Sequence, residues 1–254
     1  MTQRVKILIS LFIVVLSGCG SGLELAKKAI QQGTGSSSSS GGAASSAFGS
    51  AYTFDGVDDR VNISQSSTST STYTLEAFVT IPSVVAARNK TIVYFNYGTT
   101  SLYLKVTAGD KFEYQLLGAA CSGNPWITGT STIVDGQKYH VAFAHDGSWG
   151  RIFVNGTQEL QTSSGANAGC NTTTAAIGGD TAANYFPGTI DEVRYSNIAR
   201  YTANFTPTTV PFTNDANTVL LFHFEETAPT IPNSSPAGTF TLGGAPSVIS
   251  SPFP

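Results

Sequence analysis

The chain has 254 residues, of which 41% are hydrophobic and only 11% charged, and 13 basic against 16 acidic residues leave a formal charge of −3. Charge is less than half of the roughly 25% usual in soluble proteins. With no basic excess to replace phosphate counterions, nucleic-acid binding is excluded. Fifteen Phe and ten Tyr supply apolar surface for a core, which excludes global disorder.

The first segment carries Arg4 and Lys6 ahead of an apolar run from Ile7 to Leu16. Ten residues rise about 15 Å as a helix, too short for a hydrocarbon core of roughly 30 Å. A positive end and a short apolar run predict a secretory signal. The following Leu16-Ser17-Gly18-Cys19 resembles the bacterial lipobox, which implies cleavage after residue 18 and acylation of the Cys19 thiol. Gly20 stands where an Asp would resemble an inner-membrane retention signal, so the expected address is the outer membrane, with lipid as the only membrane contact. Loss of Arg4 and Lys6 leaves 11 basic and 16 acidic residues, a charge of −5.

Residues 19–50 read as a tether, because Gly33 to Ser50 is almost entirely Gly, Ser and Ala. About thirty such residues hold a domain roughly 30 Å from the membrane. Cys121 and Cys170 form an even pair in an oxidising compartment and are expected to bridge, closing a loop of about 50 residues. Two free thiols are the alternative. A metal site on the pair is disfavoured, since no His or carboxylate stands at ligand spacing beside either.

From Ala51 to Pro254 the pattern is that of strands. Leu75, Ala77, Val79 and Ile81 alternate with Glu76, Phe78 and Thr80. Leu102, Leu104 and Val106 alternate with Tyr103 and Lys105, and Phe112, Tyr114 and Leu116 with Glu113 and Gln115. Tyr139, Val141 and Phe143 alternate with His140, Ala142 and Ala144. A period of two marks strands with one buried face. Turn pairs such as Asp55-Gly56, Asp135-Gly136, Asp146-Gly147 and Asn155-Gly156 separate the runs, and no helical period appears. An all-β sandwich or barrel of antiparallel sheets follows.

Several segments in order are similar to the laminin-G-like, concanavalin A-like jelly-roll family. They are Ala51–Val61, Tyr73–Val79, the hairpin from Lys138 through Asp146-Gly147 to Thr157, and Pro187–Ser196 after Ile177-Gly178-Gly179. The resemblance implies a two-sheet antiparallel jelly-roll sandwich over 51–254. It implies that first and last strands lie side by side, with Tyr52–Phe54 and Leu220–Phe224 as partners. Asp55, Asp58 and Asp59 crowd one turn whose oxygens suit a calcium ion, and the resemblance implies that a late-strand Asp, Asp191, joins a main-chain oxygen of that turn, at Gly56, to hold it. The competing reading is that these carboxylates satisfy turn amides and pair with Arg60 and Arg194.

Related hydrolases carry a Glu-x-Asp-x-(x)-Glu strand, and none of the 16 carboxylates makes that pattern. Asp191-Glu192 should point to opposite faces of a strand, as should His140 and His145. No enzyme is expected. Trp126, Tyr185 and Phe186 are the candidate loop aromatics for stacking on a ligand, with Trp149 at a hairpin tip; the alternative is that they cover the sandwich ends or pack on the disulfide. The reading is thus a lipid-anchored surface protein whose lectin-like domain binds a glycan or a neighbouring surface protein. A structural part of an envelope layer and an unrecognised carbohydrate-active enzyme are the alternatives.

Overall fold

The computed structural model describes residues 47–64, 67–68, 71–82, 90–96, 101–117, 126–163, 171–172, 174–225 and 239–254. The signal segment, Cys19, the tether up to residue 46, Cys121 and Cys170 lie outside them.

The described residues hold seventeen strands and no helix. In chain order they are β1 (Ser50–Asp55), β2 (Arg60–Ser64), β3 (Ser67–Thr68), β4 (Thr72–Thr80), β5 (Lys90–Asn96) and β6 (Ser101–Val106). Then come β7 (Phe112–Leu117), β8 (Trp126–Thr128), β9 (Lys138–Asp146), β10 (Trp149–Val154), β11 (Thr157–Ser163) and β12 (Asn171–Thr172). The last are β13 (Thr174–Ile177), β14 (Pro187–Ser196), β15 (Thr218–Phe222), β16 (Thr239–Gly243) and β17 (Ser247–Ser250). One antiparallel sheet runs β11-β10-β9-β4-β14-β1-β17, with β15 also on β14, and the other runs β16-β2-β13-β5-β6-β7-β8. The two are the layers of a jelly-roll sandwich, and β3 with β12 makes a small separate ladder.

Alternation fills the space between the layers as the sequence requires. Leu75, Ala77 and Val79 of β4 and Val141 and Phe143 of β9 meet Leu102 and Leu104 of β6 and Phe112 and Tyr114 of β7 in one buried cluster. Tyr114 stacks on Phe143 with ring centroids 3.4 Å apart, and the buried hydroxyls of Tyr73 and Tyr114 share a 2.5 Å hydrogen bond from sheet to sheet. That bond lets two tyrosines lie in the core with their desolvated hydroxyls partnered.

The hairpin of β10 and β11 turns at Asn155 and Gly156, whose φ angles of 49° and 75° fit a two-residue primed turn. Gly156 is needed twice over, since a Cβ there would also strike the Phe205 carbonyl. The Asn155 side chain accepts from the His140 amide at 2.9 Å, tying the turn to β9.

The closure differs from expectation. β1 pairs with β14 on one side and β17 on the other, with Tyr52 opposite Ile190 and Val248. Segment 220–224 is therefore not its ladder partner. β15 pairs with β14 through Val193–Ser196, further along that strand. Phe224 meets Tyr52 ring to ring, with centroids 5.1 Å apart. The chain's opening and closing strands do pair, but the closing one is β17. The folded unit also takes in Phe48, fully buried, and Ser50, which the sequence assigns to the tether.

Candidate functional site

The two outer faces of the sandwich differ. On the first sheet, Phe78 and Leu221 are covered by Phe48, Phe212 and Phe253, while Ala142, Ala144 and Phe153 are covered by Tyr201 and Phe205. Beneath this cover lies a closed polar network around Glu76, which is fully buried on β4. Its Oε1 accepts from Arg194 Nε at 2.8 Å and Nη2 at 2.7 Å. Its Oε2 takes the Tyr201 hydroxyl at 2.8 Å and His140 Nε2 at 3.1 Å. Burial pushes the Glu76 carboxyl up, but His140 and Arg194 outweigh it and hold the carboxyl below its ordinary range. The Arg194 guanidinium stacks 4.0 Å from the Phe212 ring centre. Both oxygens of Glu76 are filled within the fold, His140 Nδ1 is left without a hydrogen-bond partner among the described residues, and Glu76, His140 and Arg194 are buried beneath their cover.

β14 carries a bulge between Asp191 and Arg194, where Glu192 has a φ of 50°. The two carboxylates therefore do not point to opposite faces. Asp191 takes the Ser251 hydroxyl at 2.6 Å, and Glu192 takes the Phe212 amide at 2.6 Å and His223 Nδ1 at 2.5 Å. Both thus meet segments that cover the first sheet. Burial pushes Asp191 up to about 9, against the Ser251 hydrogen bond, and the Glu192 charge raises it further. The Glu192 hydrogen bond raises His223. His140 faces this outer side, whereas His145 stacks on Tyr73 in the core, so the two are on opposite faces.

Asp191 does not join the first turn. Asp55 stands opposite Pro187, four residues earlier on β14 and so about 13 Å along the strand. The ligand oxygens of Asp55, Asp58 and Asp59 do lie within 4.8 Å of one another. Much of their capacity is taken by backbone amides of the turn and of the β16–β17 connection. Asp55 Oδ1 accepts from the Val57 amide at 2.7 Å, and Asp59 accepts from the amides of Asp55 at 2.9 Å and Ala245 at 2.6 Å. Asp55, Gly56 and Asp58 share the first turn, and Asp191 stands apart from them along β14. Neither arginine pairs with them, since Arg60 reaches the Asp180 carbonyl and Arg194 reaches Glu76.

The second sheet presents a different surface. Its inward positions are apolar, and its outward ones align across all seven strands, with Thr241 and Trp126 exposed, Asn62 and Tyr103 part-exposed, and Ala176, Tyr94 and Gln115 buried. Thr241 stands opposite Asn62, Asn62 opposite Ala176, and Ala176 opposite Tyr94. Tyr94 stands opposite Tyr103, Tyr103 opposite Gln115, and Gln115 opposite Trp126. With strands about 4.8 Å apart, this row is roughly 29 Å long. Tyr94 and Tyr103 have ring centres 5.1 Å apart. Lys105 Nζ lies 6.0 Å from the Tyr103 ring and 5.9 Å from that of Trp126, and is neutralised by Glu113 at 3.1 Å. Trp126, on strand β8, is 62% exposed, the largest aromatic surface presented among the described residues.

At the other end of the row is a pocket of about 280 Å³, lined among others by Arg60, Asn62, Tyr94, Thr174, Asp180 and Thr241. The Asp180 carboxylate is held by Thr91 Oγ1 at 3.0 Å, the amides of Ala182 at 2.8 Å and Asn184 at 3.1 Å, and Asn184 Nδ2 at 2.8 Å. Tyr185 is half-buried beside it, 6.0 Å below Arg60. Phe186 is fully buried in the core between the sheets, so this expected ligand contact is a packing residue. The sequence reading missed Tyr94, Asn62 and Arg60. The signal available was an aromatic at an outward position of a strand whose inward positions are already apolar.

The architecture is that of a lectin-like jelly roll. Residues 55–204 match the laminin-G-like family described as the concanavalin A-like lectin/glucanases superfamily, and the chain belongs to it. No curated protein matches the sequence. Among solved structures, a Bacteroides ovatus protein described as carbohydrate binding superposes with a TM-score of 0.60 at 18% identity, over 80% of this chain. This chain spans 60% of that protein's length. A heptameric SAP-like pentraxin from Limulus polyphemus is similar at a TM-score of 0.47 and 16% identity, over 61% of this chain and 79% of that one. Mouse laminin alpha1 domains LG4-5 give 0.46 and 11% over 65% of this chain and 47% of that one.

Proposed function

We propose that this protein is a lipid-anchored surface lectin that holds a glycan chain along the outer face of its second sheet. One observation carries the reading: outward residues of that sheet form a single row from Thr241 to Trp126, ending in a pocket, while the first sheet's outer face is covered by aromatic segments. The Trp126 and Tyr103 rings stack on the apolar sides of sugar rings, and Asn62 and Lys105 offer fixed hydrogen-bonding groups beside them. The row's length suits several sugar units in an extended chain. Acylation at Cys19 and export place this face outside the cell, where it serves adhesion or capture without turnover.

A glycan array with the full-length protein and with Trp126→Ala tests the binding. Selective binding by the first and its loss in the second supports the reading; identical signals, or hydrolysis of a bound polysaccharide, overturn it. Incorporation of labelled palmitate, abolished by Cys19→Ala, tests the anchor.

A further inference from the structure

The row is not symmetric in charge. Lys105, near its Trp126 end, is matched by Glu113. Arg60, at the pocket end, has no carboxylate within ion-pair distance among the described residues. Its one hydrogen bond is from Nη1 to the Asp180 carbonyl at 3.1 Å. The neighbouring Asp180 carboxylate is already engaged by four donors from Thr91, Ala182 and Asn184. Arg60 is half-buried, and its side chain packs between Tyr185 and Gly243. A guanidinium has five donors in a planar fork. The fork here is positioned by packing and by one backbone bond, with its remaining donors unspent beside a cavity.

From this, and resting on the glycan-binding reading above, we propose that the pocket takes the carboxylate of an acidic sugar, a uronic acid, through Arg60. The hydroxyls of that sugar reach Asn62, Thr174 and Thr241, over a floor to which the largely buried Tyr94 contributes only an edge. A planar carboxylate matches the guanidinium fork with two parallel bonds, which a neutral hydroxymethyl group does not. The pocket is about 280 Å³, near the lower end of the range for small-molecule sites, and suits one sugar unit. The protein as a whole is acidic, so attraction for such a ligand must come from this local cation rather than from the net field.

The experiment uses purified full-length protein and a panel of polyuronates, each as the free acid and as its methyl ester. Esterification removes the charge and keeps the ring. Selective binding of a free acid is expected, weakened at least tenfold by esterification. Arg60→Met should abolish that preference with an unchanged melting temperature, and Arg60→Lys should restore only part of it. Equal binding of acid and ester, or a preference that survives Arg60→Met, overturns the acidic-sugar assignment while leaving the glycan face intact. If the wild type binds neither these nor any neutral glycan, the glycan-binding reading itself falls.

Discussion

Glu76 and Arg194 stand directly opposite each other on β4 and β14, and the guanidinium gives both Nε and Nη2 to one carboxylate oxygen, at 2.8 and 2.7 Å. The second oxygen is filled by His140 and Tyr201, so the ion pair is the centre of a four-residue network. It joins three adjacent strands, β9, β4 and β14, to the segment that covers them. A buried pair of this kind contributes little net stability compared with apolar packing, but removing one partner leaves the other charge without compensation.

Glu76→Gln is therefore expected to destabilise the fold by about 3 kcal/mol or more, read from urea denaturation. In a double-mutant cycle, adding Arg194→Met should recover part of that loss. The Glu76 carboxyl is held below its ordinary 4.5. Its contribution is thus complete above that pH and is lost as pH falls through the lower folded value. The single variant should show a flatter stability profile in acid than the wild type.

Asp191 has the opposite sign. Its folded value is about 9 against an ordinary 3.8. Its contribution is complete below 3.8 and is lost progressively up to about 9, as the unfolded chain gives up a proton that the folded chain keeps. The raised His223 acts in the same direction above its ordinary 6.5. Asp191→Asn should leave the Ser251 contact intact and make stability less dependent on pH between 4 and 9. A profile as steep as the wild type's would show that Asp191 is ionised in the fold.

The layers of this protein are legible in its sequence because alternation is a local property. Leu102-Tyr103-Leu104-Lys105-Val106 declares which side chains face inward without reference to any other strand. Asn155-Gly156 declares its turn in the same way. What depends on register is not written locally. Segments 220–224 and 247–250 are both suited to pair with β1, and only the folded chain shows that β17 does. In an unbroken strand, Asp191 and Glu192 would point to opposite faces, yet a positive φ at Glu192 turns both carboxylates toward the covered face. Trp126 stands out in the sequence. Its alignment with Tyr103 and Tyr94 does not, because those residues lie on three separate strands of one sheet.

Phe48 tests the domain boundary. It lies fully buried, edge-on to Phe78 at 5.0 Å, in the cluster that also holds Phe212, Leu221 and Phe253. Phe48→Ala is expected to cost about 3–5 kcal/mol, as for other buried Phe truncations. A loss below about 1 kcal/mol would return residues 47–50 to the tether.

Tyr103 and Trp126 divide binding from folding. Trp126 is largely exposed, and Tyr103 is half-exposed on the same outer row, with inward neighbours Leu102 and Leu104 carrying the core contacts of β6. Truncating either outward ring removes stacking surface and little of the core. Trp126→Ala and Tyr103→Ala should each weaken binding of the selected glycan about tenfold, near 1.4 kcal/mol, while leaving the melting temperature within about 2 °C of the wild type. Because both rings would contact one chain, their losses should combine less than additively if the ligand can shift along the row. Leu104→Ala is the contrasting change: it opens a cavity between the sheets and should lower stability by about 2–5 kcal/mol. A Tyr103 variant that unfolds as readily as the Leu104 variant would place that ring in the packing, and unchanged affinity in both outward variants would move the ligand to another surface.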